Sequence, residues 1–139
     1  MIDPKPLKRM IDKARKAMEN ACAPYSDYRV GACALSSDGN LYAGCNVENA
    51  SYGLCVCAER NAIAHMVAEG ERSLTAIVVM GTGPDLTTPC GACRQVIREF
   101  AAPGLLIYVC GPEGVRRRFT LDELLPYSFG PDNLKGDLS

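Results

Sequence analysis

Histidine, excess positive charge and long apolar runs are all scarce in this sequence. The single histidine, His65, falls inside a helical pattern about two turns from the nearest metal-capable cysteine, so it is expected to be structural. Basic residues number 15 against 16 acidic, a net charge of −1. A protein that grips a nucleic-acid backbone normally carries a basic excess, so no nucleic-acid partner is expected. No apolar run approaches a membrane span, so no membrane partner is expected either. The stretch Met1 to Met10 is rich in Lys and Pro and lacks the apolar centre of a secretory leader. Repeats, low-complexity tracts and linkers are absent too. The 139 residues are therefore read as one domain, 1–139, long enough for a sizeable core.

Cysteine, by contrast, is plentiful. Eight cysteines without a leader point to a reducing, cytoplasmic setting and to thiol or metal chemistry, not a disulfide framework. Cys22, Cys33, Cys45 and Cys110 are expected to be small buried residues, and Cys55 a packing or pocket residue. Cys90 and Cys93, with two residues between them at a helical start, can reach one metal ion, and Cys57 can complete a three-thiolate face. Tetrahedral zinc takes three protein ligands in catalytic sites and keeps a fourth position for water. Glu59, two residues past Cys57, is placed to handle protons without binding the metal. Three thiolates leave a net charge of about −1 on the cluster, and Arg60 is the adjacent group able to offset it. A closed four-thiolate site using Cys55 is the alternative. It has no use for a neighbouring carboxylate.

The flanking pattern supplies the scaffold. Leu7, Met10, Ile11, Ala14, Ala17, Met18 and Ala21 recur at helical spacing, and the helix is expected to run until Pro24. Tyr28 to Leu35 and Leu41 to Asn46 read as a hairpin around Ser36–Asn40. Cys57 to Glu69 and Cys90 to Ala101 read as helices, and Leu74 to Met80 and Leu105 to Cys110 as apolar strands covered on both faces. Those two strands are joined through a helix and should be parallel. Only Gly111 to Gly114 separates the second from Val115 to Phe119, too short for a crossover, so that pair should be antiparallel. Thr120 and Glu123 have the spacing of a capping box. The expected architecture is α/β: three layers, α/β/α, around a mixed five-stranded sheet with its last two strands antiparallel.

Five stretches in order carry a family resemblance. They are Ala23-Pro24-Tyr25-Ser26, Gly44-Cys45-Asn46-Val47-Glu48-Asn49-Ala50, Cys57-Ala58-Glu59-Arg60, Pro89-Cys90-Gly91-Ala92-Cys93-Arg94-Gln95-Val96 and Leu124-Leu125-Pro126. With them the chain resembles the small, homotetrameric cytidine deaminases over nearly its whole length. Cys57 stands where many zinc deaminases carry a histidine. The resemblance implies Zn²⁺ on Cys57, Cys90 and Cys93, one per subunit, with Glu59 as proton shuttle. It implies Asn46 and Glu48 on the ribose hydroxyls, the Ala58 N–H on the pyrimidine 2-oxo group and the Cys90 carbonyl on the departing amine. Tyr28 would line the base pocket, where relatives often carry Phe, and Phe129 would reach in from a neighbouring subunit of a homotetramer. The implied reaction is hydrolytic deamination of cytidine and deoxycytidine, in pyrimidine salvage. Two rivals stay open: a deaminase of modified nucleosides of the blasticidin S type, which shares the metal motif, and, more distant, a non-catalytic zinc module that binds a partner or nucleic acid.

Overall fold

The computed structural model describes residues 2–135. Helix α1, Pro4–Glu19, opens on proline, whose missing N–H is no loss in a first turn, and buries Met10, Ala14 and Met18. It stops at Asn20, short of the expected Pro24, because the chain finds other backbone partners. Cys22 N–H donates to Asn46 O at 3.0 Å, and the Cys22 carbonyl accepts from Glu48 N–H at 2.8 Å.

Strands β1 (Val30–Ser36), β2 (Leu41–Cys45), β3 (Leu74–Gly81), β4 (Ala101–Gly111) and β5 (Gly114–Thr120) form one sheet in the order β2-β1-β3-β4-β5. The β3–β4 pair is parallel, and β1–β2 and β4–β5 are antiparallel, as the connection lengths require; β1–β3 is antiparallel too. Alternate residues of β3 feed two cores. Ala76, Val78 and Met80 meet α1, whereas Leu74 and Ile77 join a cluster containing Ala62, Ile63, Met66 and Ile97. Those last residues belong to α2 (Ala58–Ala68) and α3 (Gly91–Phe100), which cover the opposite face. Gly44 lets α2 lie almost on β2, since a Cβ there would meet the backbone of Ala58 and Ala62. The three-layer expectation holds, and the close approach fixes where α2 begins.

Several details differ from the sequence reading. Strand β4 starts at Ala101, four residues early, because the ladder resumes before Pro103-Gly104 and then skips: Leu74 pairs with Ala101 but Ala76 with Leu106. Pro103 lacks a donor and Gly104 has φ 79°, so the pair forms a bulge that reads locally as a turn. The mostly polar stretch Val47 to Val56, which its residues mark as a loop, contains local pairing. Val47 bridges Val56, and a 3-10 turn spans Tyr52–Leu54. Of the four cysteines expected to be buried, Cys33 and Cys110 are, whereas Cys22 is exposed and Cys45 half-buried. Cys22 follows α1 in the bridging segment outside both cores, which is why its small apolar side chain stays in solvent.

Helix α4 (Leu121–Leu124) carries the expected capping box, with Thr120 Oγ1 accepting from Glu123 N–H and Glu123 Oε1 accepting from Thr120 N–H. The last described element is α5 (Pro131–Lys135), docked on α3 by Arg98–Asp132 at 2.6 Å and Gln95 Nε2 donating to Phe129 O at 2.8 Å. At the far edge of the sheet, β5 presents Arg116, Arg117 and Arg118 in succession. The Arg117 guanidinium lies 4.6 Å over the Phe119 ring. Among the described residues no helix is long and apolar enough to cross a membrane.

Candidate metal centre and nucleoside site

Cys57 is the N-cap of α2, and Cys90 the N-cap of α3, both with extended backbone (φ −73°, ψ 157° and φ −68°, ψ 171°). Cys93 lies in the first turn of α3 and is fully buried. Helix starts carry unpaired N–H groups and the positive end of the dipole, a setting that favours thiolate. The three Sγ atoms lie within 4.8 Å of one another, with Cys57 and Cys90 3.7 Å apart. Sulfurs ~2.3 Å from a tetrahedral zinc sit roughly 3.8 Å apart, so the donor set fits that ion in both chemistry and span. Cys55 is not in the cluster. Its thiol bonds within its own loop, accepting from Asn49 N–H at 3.3 Å, which leaves no fourth sulfur to close the site among the described residues.

The charges around the sulfurs are arranged unevenly. Hydrogen bonding from Cys93, and then from Arg60, pulls the Cys57 thiol down to about 5. The same shared proton raises Cys93. Arg60 Nη2 donates to Cys57 Sγ at 3.5 Å, while its Nε is buried with no acceptor among the described residues. Glu59 is 3% exposed, and burial, reinforced by the Cys57 thiolate, pushes its carboxyl up to about 7. A carboxyl poised near neutrality can both take and give a proton, which suits general acid–base work. Ala58 is fully buried and opens α2, so its N–H has no acceptor within the helix.

A second group sits on the turn before β1 and the end of β2. Asn46 Oδ1 accepts from Val30 N–H and Nδ2 donates to Tyr28 O, both at 2.8 Å. Glu48 Oε1 accepts from Tyr25 N–H at 3.0 Å and Ser26 N–H at 3.1 Å, and Oε2 accepts from the Ser26 hydroxyl. Those bonds, the Ser26 hydroxyl first, hold the Glu48 carboxyl below the usual range. A cleft of about 290 Å³ opens beside them, lined by Tyr25, Ser26, Glu48, Tyr52 and Cys55. The larger cleft of about 610 Å³, beside Arg98, Thr120 and Tyr127, contains none of the sequence-predicted residues. The Tyr28 hydroxyl is paired with Thr87 Oγ1 at 2.5 Å. Phe129 keeps 57% of its surface exposed, outside both cores of its own chain. The Cys90 carbonyl accepts from Arg94 N–H at 2.9 Å and retains a second lone pair. His65 is an exposed residue stacked edge-on against Tyr42 at 5.2 Å, outside the sulfur cluster.

Three residues were missed. Ser26 stood inside a recognised stretch and is the hydroxyl that holds Glu48. Arg94 stood beside Cys93; its Nε donates to Pro89 O and its Nη1 to Leu124 O, both at 2.7 Å. Thr87 gave no signal, because a threonine in a Gly- and Pro-rich loop reads as filler.

Comparison with known proteins agrees with this geometry. Residues 4–109 match the family model described as the cytidine and deoxycytidylate deaminase zinc-binding region. A cytidine deaminase of Sporosarcina psychrophila is 40% identical over 128 residues, covering 92% of this chain and 94% of the relative. The crystal structure of cytidine deaminase from Burkholderia pseudomallei superposes with a TM-score of 0.82 at 44% identity, covering 88% of this chain and 98% of that one. The crystal structure of cytidine deaminase from Mycobacterium tuberculosis gives a TM-score of 0.74 at 40% identity, covering 88% and 96%. Similarity this extensive in both sequence and fold has one explanation: the chain belongs to the cytidine and deoxycytidylate deaminase family and carries its zinc-binding region.

Proposed function

We propose that the protein hydrolyses cytidine and deoxycytidine to uridine and deoxyuridine with release of ammonia. The observation that carries this reading is the buried Glu59 carboxyl beside the three-sulfur cluster. Cys57, Cys90 and Cys93 hold the zinc, which when bound supplies Lewis acidity that makes water acidic near neutral pH. Glu59 takes the proton of the water that adds to C4. It passes that proton to N3, then takes the remaining proton from the C4 hydroxyl as the carbonyl forms and gives it to the departing 4-amino group, so the carboxylate ends as it began. Arg60 offsets the negative charge of the three thiolates.

The remaining roles follow from unused hydrogen-bonding capacity. Glu48 has about four acceptor sites and spends three on Tyr25 and Ser26, leaving one for a ribose hydroxyl. Asn46 has a second N–H for the same sugar. The Ala58 N–H meets the 2-oxo group, and the Cys90 carbonyl accepts from the 4-amino group. The Tyr28 ring walls the base pocket. Phe129, exposed on its own chain, stacks on the base of a neighbouring subunit in a homotetramer. The setting we infer is cytoplasmic pyrimidine salvage with free nucleosides, not nucleic acid, as substrates.

Glu59→Gln tests the assignment. The variant is expected to keep its zinc and to lose turnover of cytidine by about 10²–10⁴-fold or more, followed by the ultraviolet change on conversion to uridine. Turnover within tenfold of the parent removes the proton-shuttle role.

A further inference from the structure

The segment 82–89 runs from the end of β3 to Cys90 without regular structure, yet its polar atoms are pinned along its length. Arg116 reaches over from β5 and donates through Nη1 to Gly83 O at 2.7 Å and Asp85 O at 2.9 Å. Its Nε and Nη2 bond the two carboxylate oxygens of Glu113 at 2.8 and 3.0 Å, so the guanidinium is held fork to fork. Two residues after Asp85, Thr87 Oγ1 meets the Tyr28 hydroxyl. Gly81 makes this possible, since a Cβ there would collide with the Thr87 side chain and the Tyr28 hydroxyl. From Tyr28 the bonding continues into the other half of the site. Asn46 Nδ2 donates to the Tyr28 carbonyl at 2.8 Å. Tyr28 N–H donates to Ser26 Oγ at 3.0 Å, and Ser26 in turn holds Glu48.

We propose that Thr87 and Arg116 are positioning residues that clamp the segment leading to Cys90 onto Tyr28. The clamp fixes the spacing between the sulfur cluster and the Asn46–Glu48 pair. It rests on the deaminase reading of the site. A nucleoside bound in that way spans both halves, base at one and sugar at the other, so a drift of ~1 Å between them costs affinity and rate. Arg116 sets the middle of the segment and Thr87 its approach to Cys90. Thr87 acts through Tyr28 and touches no substrate.

The test is a double-mutant cycle on Thr87→Val and Tyr28→Phe, each of which removes a hydroxyl and keeps the bulk; the phenyl ring still walls the pocket. KM and kcat for cytidine, and the Kd of uridine by calorimetry, are measured well below the melting temperature. Loss of one hydrogen bond corresponds to about a fivefold change. Each single variant is expected to raise KM and the uridine Kd about fivefold, with kcat changing less. The double variant should be no worse than either single. Thr87→Ser should restore the parent values, and Arg116→Met should shift the same constants in the same direction. Additive single effects, unchanged KM and Kd, or no rescue by Thr87→Ser overturns the clamp while leaving the deaminase reading intact. A parent protein that neither turns over cytidine nor binds uridine overturns both.

Discussion

Replacing Arg94 by methionine removes a guanidinium that joins three segments, and its cost can be worked out bond by bond. Nε and Nη1 each make a 2.7 Å bond to a backbone carbonyl, Pro89 O and Leu124 O, and Nη2 adds a longer contact of 3.4 Å to Thr88 Oγ1. Hydrogen bonds from a charged donor contribute about 1.5–3 kcal/mol each when buried. This side chain is only half-buried, so about 1–1.5 kcal/mol for each short bond is the better figure, with the long contact negligible. Methionine keeps much of the aliphatic packing. The expected loss is about 2–3 kcal/mol in urea titration. Unfolding entropy near 2.1 cal/mol/K per residue turns that into a fall in Tm of roughly 7–10 °C. Arg94→Lys can reach only one of the two carbonyls and should lose about half as much. Because Pro89 precedes a metal ligand, the methionine variant should also release zinc to a chelator faster. A loss below about 0.5 kcal/mol, or a lysine variant equal to the parent, would refute the bond-by-bond reasoning.

Three further outcomes are expected. Burial pushes the Cys33 thiol from its ordinary 9.0 up to about 12, so its contribution to stability is complete below pH 9 and is lost as pH rises towards 12. Cys33→Ala should therefore flatten the alkaline limb of a stability–pH curve, though not abolish it, since burial also pushes Cys110 up to about 11; an unchanged limb contradicts the assignment. Zinc joining Cys57 to Cys90 closes a 33-residue stretch of chain, which by analogy with a covalent cross-link is worth about 3–4 kcal/mol. Chelation should lower Tm by roughly 10 °C, and an unchanged Tm would show that the ion bears no part of the fold. On the proposed homotetramer, Phe129→Ala and Glu59→Gln chains refolded together should recover activity that neither shows alone, because each supplies what the other lacks; a mixture that stays inactive overturns a ring supplied by a neighbouring subunit.

Much of this molecule was legible in the residues because the signals were local or set by connection length. The spacing of Met10, Ala14 and Met18 marked α1, and the four residues Gly111 to Gly114 forced β4 and β5 antiparallel. The sulfur cluster was legible because its cysteines cap two helices whose starts the strands bring together. What escaped depended on partners distant in sequence. Pro103-Gly104 looks like the end of an element, and only pairing with β3 shows that the strand already began at Ala101. The resemblance implies Asn46 and Glu48 on the ribose hydroxyls; which backbone groups each also holds, those of the Tyr25–Val30 turn, emerges only from the fold and limits what they can still bind. Thr87 matters only through a tyrosine 59 positions away.

The row of guanidinium groups on the outermost strand bears on how copies of the protein can meet. An open sheet margin invites another strand, but two copies of β5 laid side by side would bring Arg117 and Arg118 of each copy close to their counterparts, while Arg116 is already paired with Glu113. Fibril-like stacking through that margin is disfavoured at low ionic strength. Multivalent anions at high concentration would weaken the protection, so clouding on adding citrate should precede any loss of native structure.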